Sequence, residues 1–277
     1  MAEITASLVR ELREETGLPM MDCKAALTES KGDKEAAKDA LRKKGLKLME
    51  SRGGRETSFG RFGIYSGIAE KRGAIVELKC ESAPVAGSAE FIQLANDLAK
   101  QLALGPGANT ADELLDQPSP SQSGKTLRQV KDDMFNRIRE VFNVGRFARI
   151  DGGTGGYSHN AGTVSGVLVG VEGGSDEAAK DVSMHIAAMR PKAVSKEEVA
   201  PDLVAKEREV LKAAALAEGK PANIVDKMVE GRLKNFYAEV ALLEQPFVKE
   251  NSVTVGKHAE SKGMKVKKFV HWELGKA

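Results

Sequence analysis

Residues 75–91, IVELKCESAPVAGSAEF, decide how the chain is read. The run Ile75-Val76-Glu77-Leu78 has the apolar density of a buried strand and leads to Cys80. Small residues and a proline follow, Ser82-Ala83-Pro84-Val85, and a helical pattern opens at Glu90. A strand that turns into a helix is where α/β proteins commonly place their chemistry. Ser82-Ala83-Pro84 supplies neither a glycine cradle nor an acid or base. The turn is therefore an active site, a scaffold corner or a contact tip for a partner, and the surrounding sequence has to choose.

Downstream, Phe91, Ile92, Leu94, Ala95, Leu98, Ala99 and Leu102 keep helical spacing; upstream, Ile64, Ser66 and Ile68 alternate as in a strand. GIYSG at 63–67 resembles GGYSH at 155–159. Each leads into a glycine-containing apolar strand, Gly73–Leu78 and Gly162–Val169, and then into a helix, at about 89–104 and 176–189. Two related strand–strand–helix lobes with antiparallel sheets are the simplest reading, which makes the core α+β.

Other segments flank that two-lobed core. In residues 1–47, Thr5 caps a first helix with Leu8, Val9 and Leu12 on its apolar face, ended by Gly17. Pro19 opens a second helix with Ala25, Ala26 and Leu27, and Asp33 caps a third with Ala36, Ala37, Ala40 and Leu41, for which Gly45 is the expected stop. Residues 48–62 read as a linker, 63–150 as the first core lobe and 151–195 as the start of the second. In 196–240, Leu203, Val204, Val210, Leu211 and Ala214 face Val225, Val229, Leu233, Phe236 and Val240 across Gly219-Lys220-Pro221, the pattern of a helical hairpin of coiled-coil type. Residues 241–277 hold the closing strand of the second core lobe, at Lys265–Glu273, and a short C-terminal module.

Composition narrows the function classes. The 277 residues are 41% apolar but only 5% aromatic, so the cores are built from Val, Leu, Ile and Ala. The net charge of +2 gives no long-range field for a polyanion, and Lys262, Lys265, Lys267 and Lys268 read as a solvated edge rather than a nucleic-acid patch. Cys23 and Cys80 make no disulfide framework and suit a reducing compartment. The polar start MAEITASLVREL lacks a signal-type apolar region, and no run nears the ~18 apolar residues of a membrane span, so a cytoplasmic location is expected.

The chemical candidates fall one by one. Ser123-Gly124-Lys125-Thr126 looks like the end of a phosphate loop, yet Ser119 stands where the motif needs its first glycine. Asp151–Gly156 is glycine-rich but precedes a strand, so no helix terminus faces an anion there. His159, His185, His258 and His271 have no ligand spacing; His185 is expected on a helix flank, while His159 stands in a loop beside Tyr157. Glu77 and Glu81 would raise the pKa of Cys80, which reads as a small buried hydrophobe. The expectation is no enzyme, no cofactor and no metal. Met20-Met21 remains, at the start of a helix in a unit with little core; such a pair fills that core or meets a partner.

Residues 12–27, LREETGLPMMDCKAAL, closely resemble the amino-terminal signature of elongation factor Ts, the guanine nucleotide exchange factor of elongation factor Tu. ELKCESAPVAGSAEF resembles the second signature of that family, MHIAAMRP at 184–191 its second-lobe helix, and EREVLKAAALAEGKP, IVDKMVEGRLKNFY and LLEQPFVKENSVTV its hairpin and C-terminal motifs. The resemblance covers nearly the whole chain. It implies a ubiquitin-associated-like helical domain, a two-lobed core, a coiled-coil hairpin and a short C-terminal module. It also implies one partner, elongation factor Tu in its GDP-bound and nucleotide-free forms, with no nucleic acid, membrane or cofactor. By this resemblance Leu12, Arg13, Thr16, Met20, Met21 and Lys24 grip the GTPase, and His159 adds a second-lobe contact. Ser82, Ala83, Pro84 and Val85 match the tip that dislodges magnesium, where the family usually has Thr-Asp-Phe-Val. The expected answer for the turn is a contact tip, blunted by loss of the acid and the aromatic wedge. A Phe ring burying 150–250 Å² would contribute about 4–6 kcal/mol at most. The alternative implied by that loss is a binding or holding partner with weak exchange activity.

Overall fold

The computed structural model describes residues 4–219 and 221–276. Its helix starts follow the sequence signals: Thr5, Asp33, Ser88, Thr110, Thr126, Ser175 and Thr254 each accept a backbone N–H of the helix they open. Thr126 and Gln129 complete a capping box, so the phosphate-loop look-alike is the start of a helix.

The elements in chain order are α1 (Ala6–Thr16), α2 (Met20–Glu29), α3 (Lys34–Arg52), β1 (Phe59–Tyr65), β2 (Arg72–Cys80), α4 (Ala83–Ala86), α5 (Ala89–Leu104), α6 (Ala111–Leu115), α7 (Leu127–Ile138) and β3 (Asn143–Asp151). They continue with β4 (Thr154–His159), β5 (Ser165–Gly173), α8 (Asp176–Met189), α9 (Pro201–Ala217), α10 (Ala222–Val240), β6 (Pro246–Phe247), β7 (Glu250–Thr254), α11 (Val255–Ser261) and β8 (Met264–Glu273). The sheets run β1-β2-β3, β4-β5-β8 and β6-β7, and the pairs β4/β5, β5/β8 and β6/β7 are antiparallel. Helices and antiparallel strands alternate in blocks, an α+β fold.

Two compact units form, one from residues 1–63 and 76–146, the other from 64–75 and 147–277. In the first unit, Val9, Leu12, Leu18, Cys23, Ala26, Leu27, Ala37 and Leu41 close the core of the three N-terminal helices. Phe91, Leu94, Leu98 and Leu102 bury the inner face of α5, which packs on α7. In the second unit, Val167, Val169 and Val171 of β5 meet Val182 and Ile186 of α8, with Phe247, Val255 and Val266 from the C-terminal segment.

The related pentapeptides have a shared physical reason. A Cβ on Gly63 would lie 1.9 Å from the Ala95 carbonyl oxygen in α5, and one on Gly155 would lie 2.6 Å from Ala179 in α8. Each glycine lets a strand press against the helix that follows it.

Three expectations need correction. Gly45 does not stop α3, which continues to Arg52; Gly45 is buried within it, and a Cβ there would overlap the Asn136 side chain of α7 at 1.8 Å. The glycine serves close helix packing, and the expected linker 48–62 shrinks to the stretch between Arg52 and Phe59. In the hairpin, Ala215 is buried with Val225, Val229 and Leu233, and Leu203, Val204 and Leu211 pack beside this line, but Val210 is 55% exposed and Ala214 is also exposed. The inward line is 204, 211 and 215; residues 210 and 214 each sit about 100° around the helix from it. His185, expected on a flank, is fully buried.

Candidate partner-binding surface

Three surfaces carry the residues singled out in the sequence. The first is the helical face of the first unit. Gly17 ends α1 in the left-handed region, and its N–H donates to the Arg13 carbonyl. The Thr16 hydroxyl donates to the Leu12 carbonyl at 2.7 Å and accepts the Leu18 N–H at 3.3 Å, which fixes the corner into α2. Pro19 stands at the cap of α2 with extended backbone, so Met20 is the first helical residue. Met20 and Met21 are 48% and 72% exposed, and Lys24 and Arg13 are exposed. The methionines do not fill the core; they cover one end of α2 with flexible apolar surface. Leu12, expected at the same face, is fully buried in the core of α1, α2 and α3 and supports this face from beneath.

The second surface is the turn after Cys80. It is a four-residue helix, α4, in which Ala83 and Pro84 are exposed, Val85 and Ser82 are half-buried and no side chain is fully buried. Its base is held from behind. The Ser82 N–H donates to Glu140 Oε2 at 3.1 Å, and the Ser82 hydroxyl donates to Glu140 Oε1 at 2.6 Å. Glu81 accepts the Val141 N–H at 2.8 Å and pairs with Arg55 at 3.0 Å; that N–H, and then the guanidinium, hold its carboxyl below the ordinary range. Cys80 is buried, its thiol donating to the Ser82 carbonyl at 3.2 Å, and burial pushes its pKa up to about 11. Burial and the raised pKa both disfavour the thiolate, the form in which a cysteine attacks.

The third surface is in the second unit. At the end of β4, the Tyr157 hydroxyl and His159 Nδ1 share a hydrogen bond of 3.0 Å, and His159 is exposed. Beside them a groove of about 430 Å³ is lined by Tyr157, His159, Met184, Ala187, Val248 and Lys249. Its lining is mostly apolar, and the two cations beside it are paired, Lys249 with Asp181 and Arg190 with Glu273, which suits a protein surface better than a small polar substrate. His185, one residue from Met184, is turned inward. Its Nε2 meets Gln245 Oε1 at 2.9 Å and its Nδ1 accepts the Val248 N–H at 3.1 Å.

No group of three or more metal-ligating side chains occurs among the described residues, and none of the described helices is long and apolar enough to cross a membrane. The sequence pointed to the exposed ends of these surfaces and missed their supports. Glu140 is 58 residues from Ser82, and Arg139, whose guanidinium pairs with Asp22 at 2.9 Å, is 117 residues from it. No local pattern links residues so far apart.

Comparison with known proteins bears on what these surfaces meet. The family model for Elongation factor TS matches residues 81–276. Elongation factor Ts of Methylococcus capsulatus is 46% identical, over 98% of this chain and 92% of its own length. The protein of the same name from Thioalkalivibrio sulfidiphilus is 41% identical over 98% and 92%, and that from Lactiplantibacillus plantarum 40% over 99% and 93%. The matches at 40–46% identity extend along almost the full length, and the chain belongs to the elongation factor Ts family.

Proposed function

We propose that this protein is a guanine nucleotide exchange factor of elongation factor Tu, active in translation elongation through protein contact alone. The observation that carries the reading is the 46% identity to an elongation factor Ts spread over 98% of the chain. The three surfaces support it: an exposed methionine pair, a latched exposed tip and a mostly apolar groove.

The physics is linkage. A partner that binds the nucleotide-free GTPase more tightly than the GDP complex must weaken GDP binding by the same factor. In this reading the helical domain, ubiquitin-associated-like at 1–47, supplies affinity through Arg13, Met20, Met21 and Lys24. Ser82–Val85 press near the magnesium and phosphate site, and His159 with its groove holds a second part of the GTPase. The helical pair α9–α10 is the coiled-coil hairpin. Ala83 brings no carboxylate to compete near magnesium, and Pro84 buries far less than an aromatic ring, so displacement here is steric and depends on a stiff tip. Pro84 contributes stiffness through its fixed φ.

That same blunt tip favours a second reading, a holding partner that binds without speeding release. Stopped-flow release of fluorescent GDP from the cognate GTPase, with the protein in excess, separates the two. Faster release is expected; formation of a complex with unchanged release would favour the holding partner.

A further inference from the structure

Helix α4 is too short to be stable alone, and none of its side chains is buried, so its position comes from elsewhere. Ser88, six residues on, caps its own helix by accepting the Phe91 N–H. Ser82 makes no such bond; its hydroxyl and its N–H both go to the Glu140 carboxylate. One strand end and one helix exit thereby exchange carboxylates: Glu81 takes the N–H of Val141 while Glu140 takes the N–H of Ser82. Hydrogen bonds to a charged acceptor are about twice as strong as neutral ones.

The latch continues away from the tip. Arg139 adopts a left-handed backbone, φ 65°, which ends α7 and turns its side chain toward α2. Its guanidinium pairs with Asp22 Oδ2 at 2.9 Å, while Asp22 Oδ1 takes Lys44 Nζ at 2.9 Å. Arg52 donates to the Arg139 carbonyl, tying the end of α3 to the same point. Asp22 directly follows Met20-Met21. A line of charge-assisted bonds, Asp22–Arg139 and then Glu140–Ser82, therefore joins the exposed methionine face to the base of the tip within one unit.

We propose that Glu140 is a positioning residue for nucleotide exchange, which holds α4 at a fixed attitude to the Met20-Met21 face. The proposal rests on the exchange-factor reading. A factor that grips with one surface and displaces with another must keep the two rigidly related, or the tip yields when it meets the GTPase. A blunt tip of Ala83 and Pro84 depends on placement more than one carrying its own charge and ring. Catalytic geometry is sensitive on this scale, where a displacement of about 1 Å can cost a hundredfold in rate.

The test uses the full chain and the cognate elongation factor Tu loaded with fluorescent GDP. Release is measured against factor concentration, so that the maximal rate and the affinity separate. Glu140→Ala is expected to lower the maximal rate about tenfold while the Kd stays within about threefold. Glu140→Gln is expected to keep at least half the maximal rate, because its carbonyl can accept the Ser82 N–H and its amide can donate to the hydroxyl oxygen. Ser82→Ala, which removes only the 2.6 Å bond, is expected to lose about threefold in maximal rate and decides the matter if Glu140→Ala does not fold. A maximal rate unchanged in Glu140→Ala, or in Ser82→Ala where that variant decides, would overturn the proposal. So would a loss in rate matched by an equal loss in affinity, or a Glu140→Gln variant as slow as Glu140→Ala. Failure of the unmodified protein to speed release would instead overturn the exchange reading, and this proposal with it.

Discussion

His185 Nε2 lies 2.9 Å from Gln245 Oε1 while its Nδ1 accepts the Val248 N–H, so the buried imidazole is neutral with its proton on Nε2. Protonation would place a second N–H against that backbone donor. Burial lowers the pKa of His185, opposed by the Gln245 bond, and burial also lowers that of His271. Both shifts have the same sign: the unfolded chain binds more protons, so stability is full above the ordinary histidine range and falls as pH drops below about 6.5. Chemical denaturation followed across pH 7 to 5 should show that fall, at about 1.4 kcal/mol per pH unit for each proton taken up. His185→Gln should flatten it; an unchanged slope in that variant would contradict the assignment.

How much of this was legible beforehand depends on distance along the chain. Helix starts at Thr5 and Asp33 are local chemistry and can be read directly. The matching pentapeptides at 63–67 and 155–159 were visible as a repeat, though the helix packing that requires Gly63 and Gly155 was not. Glycine ends helices in general, while at Gly45 a neighbouring helix needs the space, which no local window shows. The hairpin offers several apolar positions a turn apart, and only the partner helix decides that Val210 lies outside. At the candidate surfaces, the exposed Met20-Met21 and Ala83-Pro84 could be named from sequence, whereas Leu12 lay one layer too deep. Glu140, Arg139 and the inward turn of His185 depend on contacts that no local window contains.

Met20→Ala with Met21→Ala should weaken binding to the GTPase by about 1–4 kcal/mol while leaving the melting temperature nearly unchanged, because both side chains are exposed. Leu12→Ala should behave in the opposite way. It opens a cavity in the small helical core and should cost about 2–5 kcal/mol of stability. Calorimetric titration beside thermal unfolding checks both, and equal loss of stability in the methionine variant would contradict the surface placement.

Cys80 should resist alkylation in the folded protein at pH 8. It is fully buried and its thiol is pushed up to about 11, so access and thiolate are both lacking. Mass spectrometry after iodoacetamide treatment, with and without denaturant, reads this directly. Rapid labelling of Cys80 in the native protein would contradict it, and loss of exchange on labelling would reopen a thiol role.

Ala83→Asp with Pro84→Phe restores the residues the family usually has at the tip. Both functional groups are replaced together here, which points to a partner fitted to a small tip. The double variant should then bind the cognate GTPase less tightly and release GDP no faster. A gain of about five- to thirtyfold in release, equivalent to roughly 1–2 kcal/mol at the transition state, with undiminished affinity would contradict that fit.

An exchange factor turns over, and the proposed function requires this protein to do so despite its blunt tip. The most direct measurement is release of fluorescent GDP from a large molar excess of the cognate elongation factor Tu, with excess unlabelled GDP present to complete each cycle. Each molecule of factor should discharge many molecules of GTPase, with a rate proportional to factor concentration. Release that stops after one equivalent, or that equals the spontaneous rate while a complex is demonstrably formed, would contradict it.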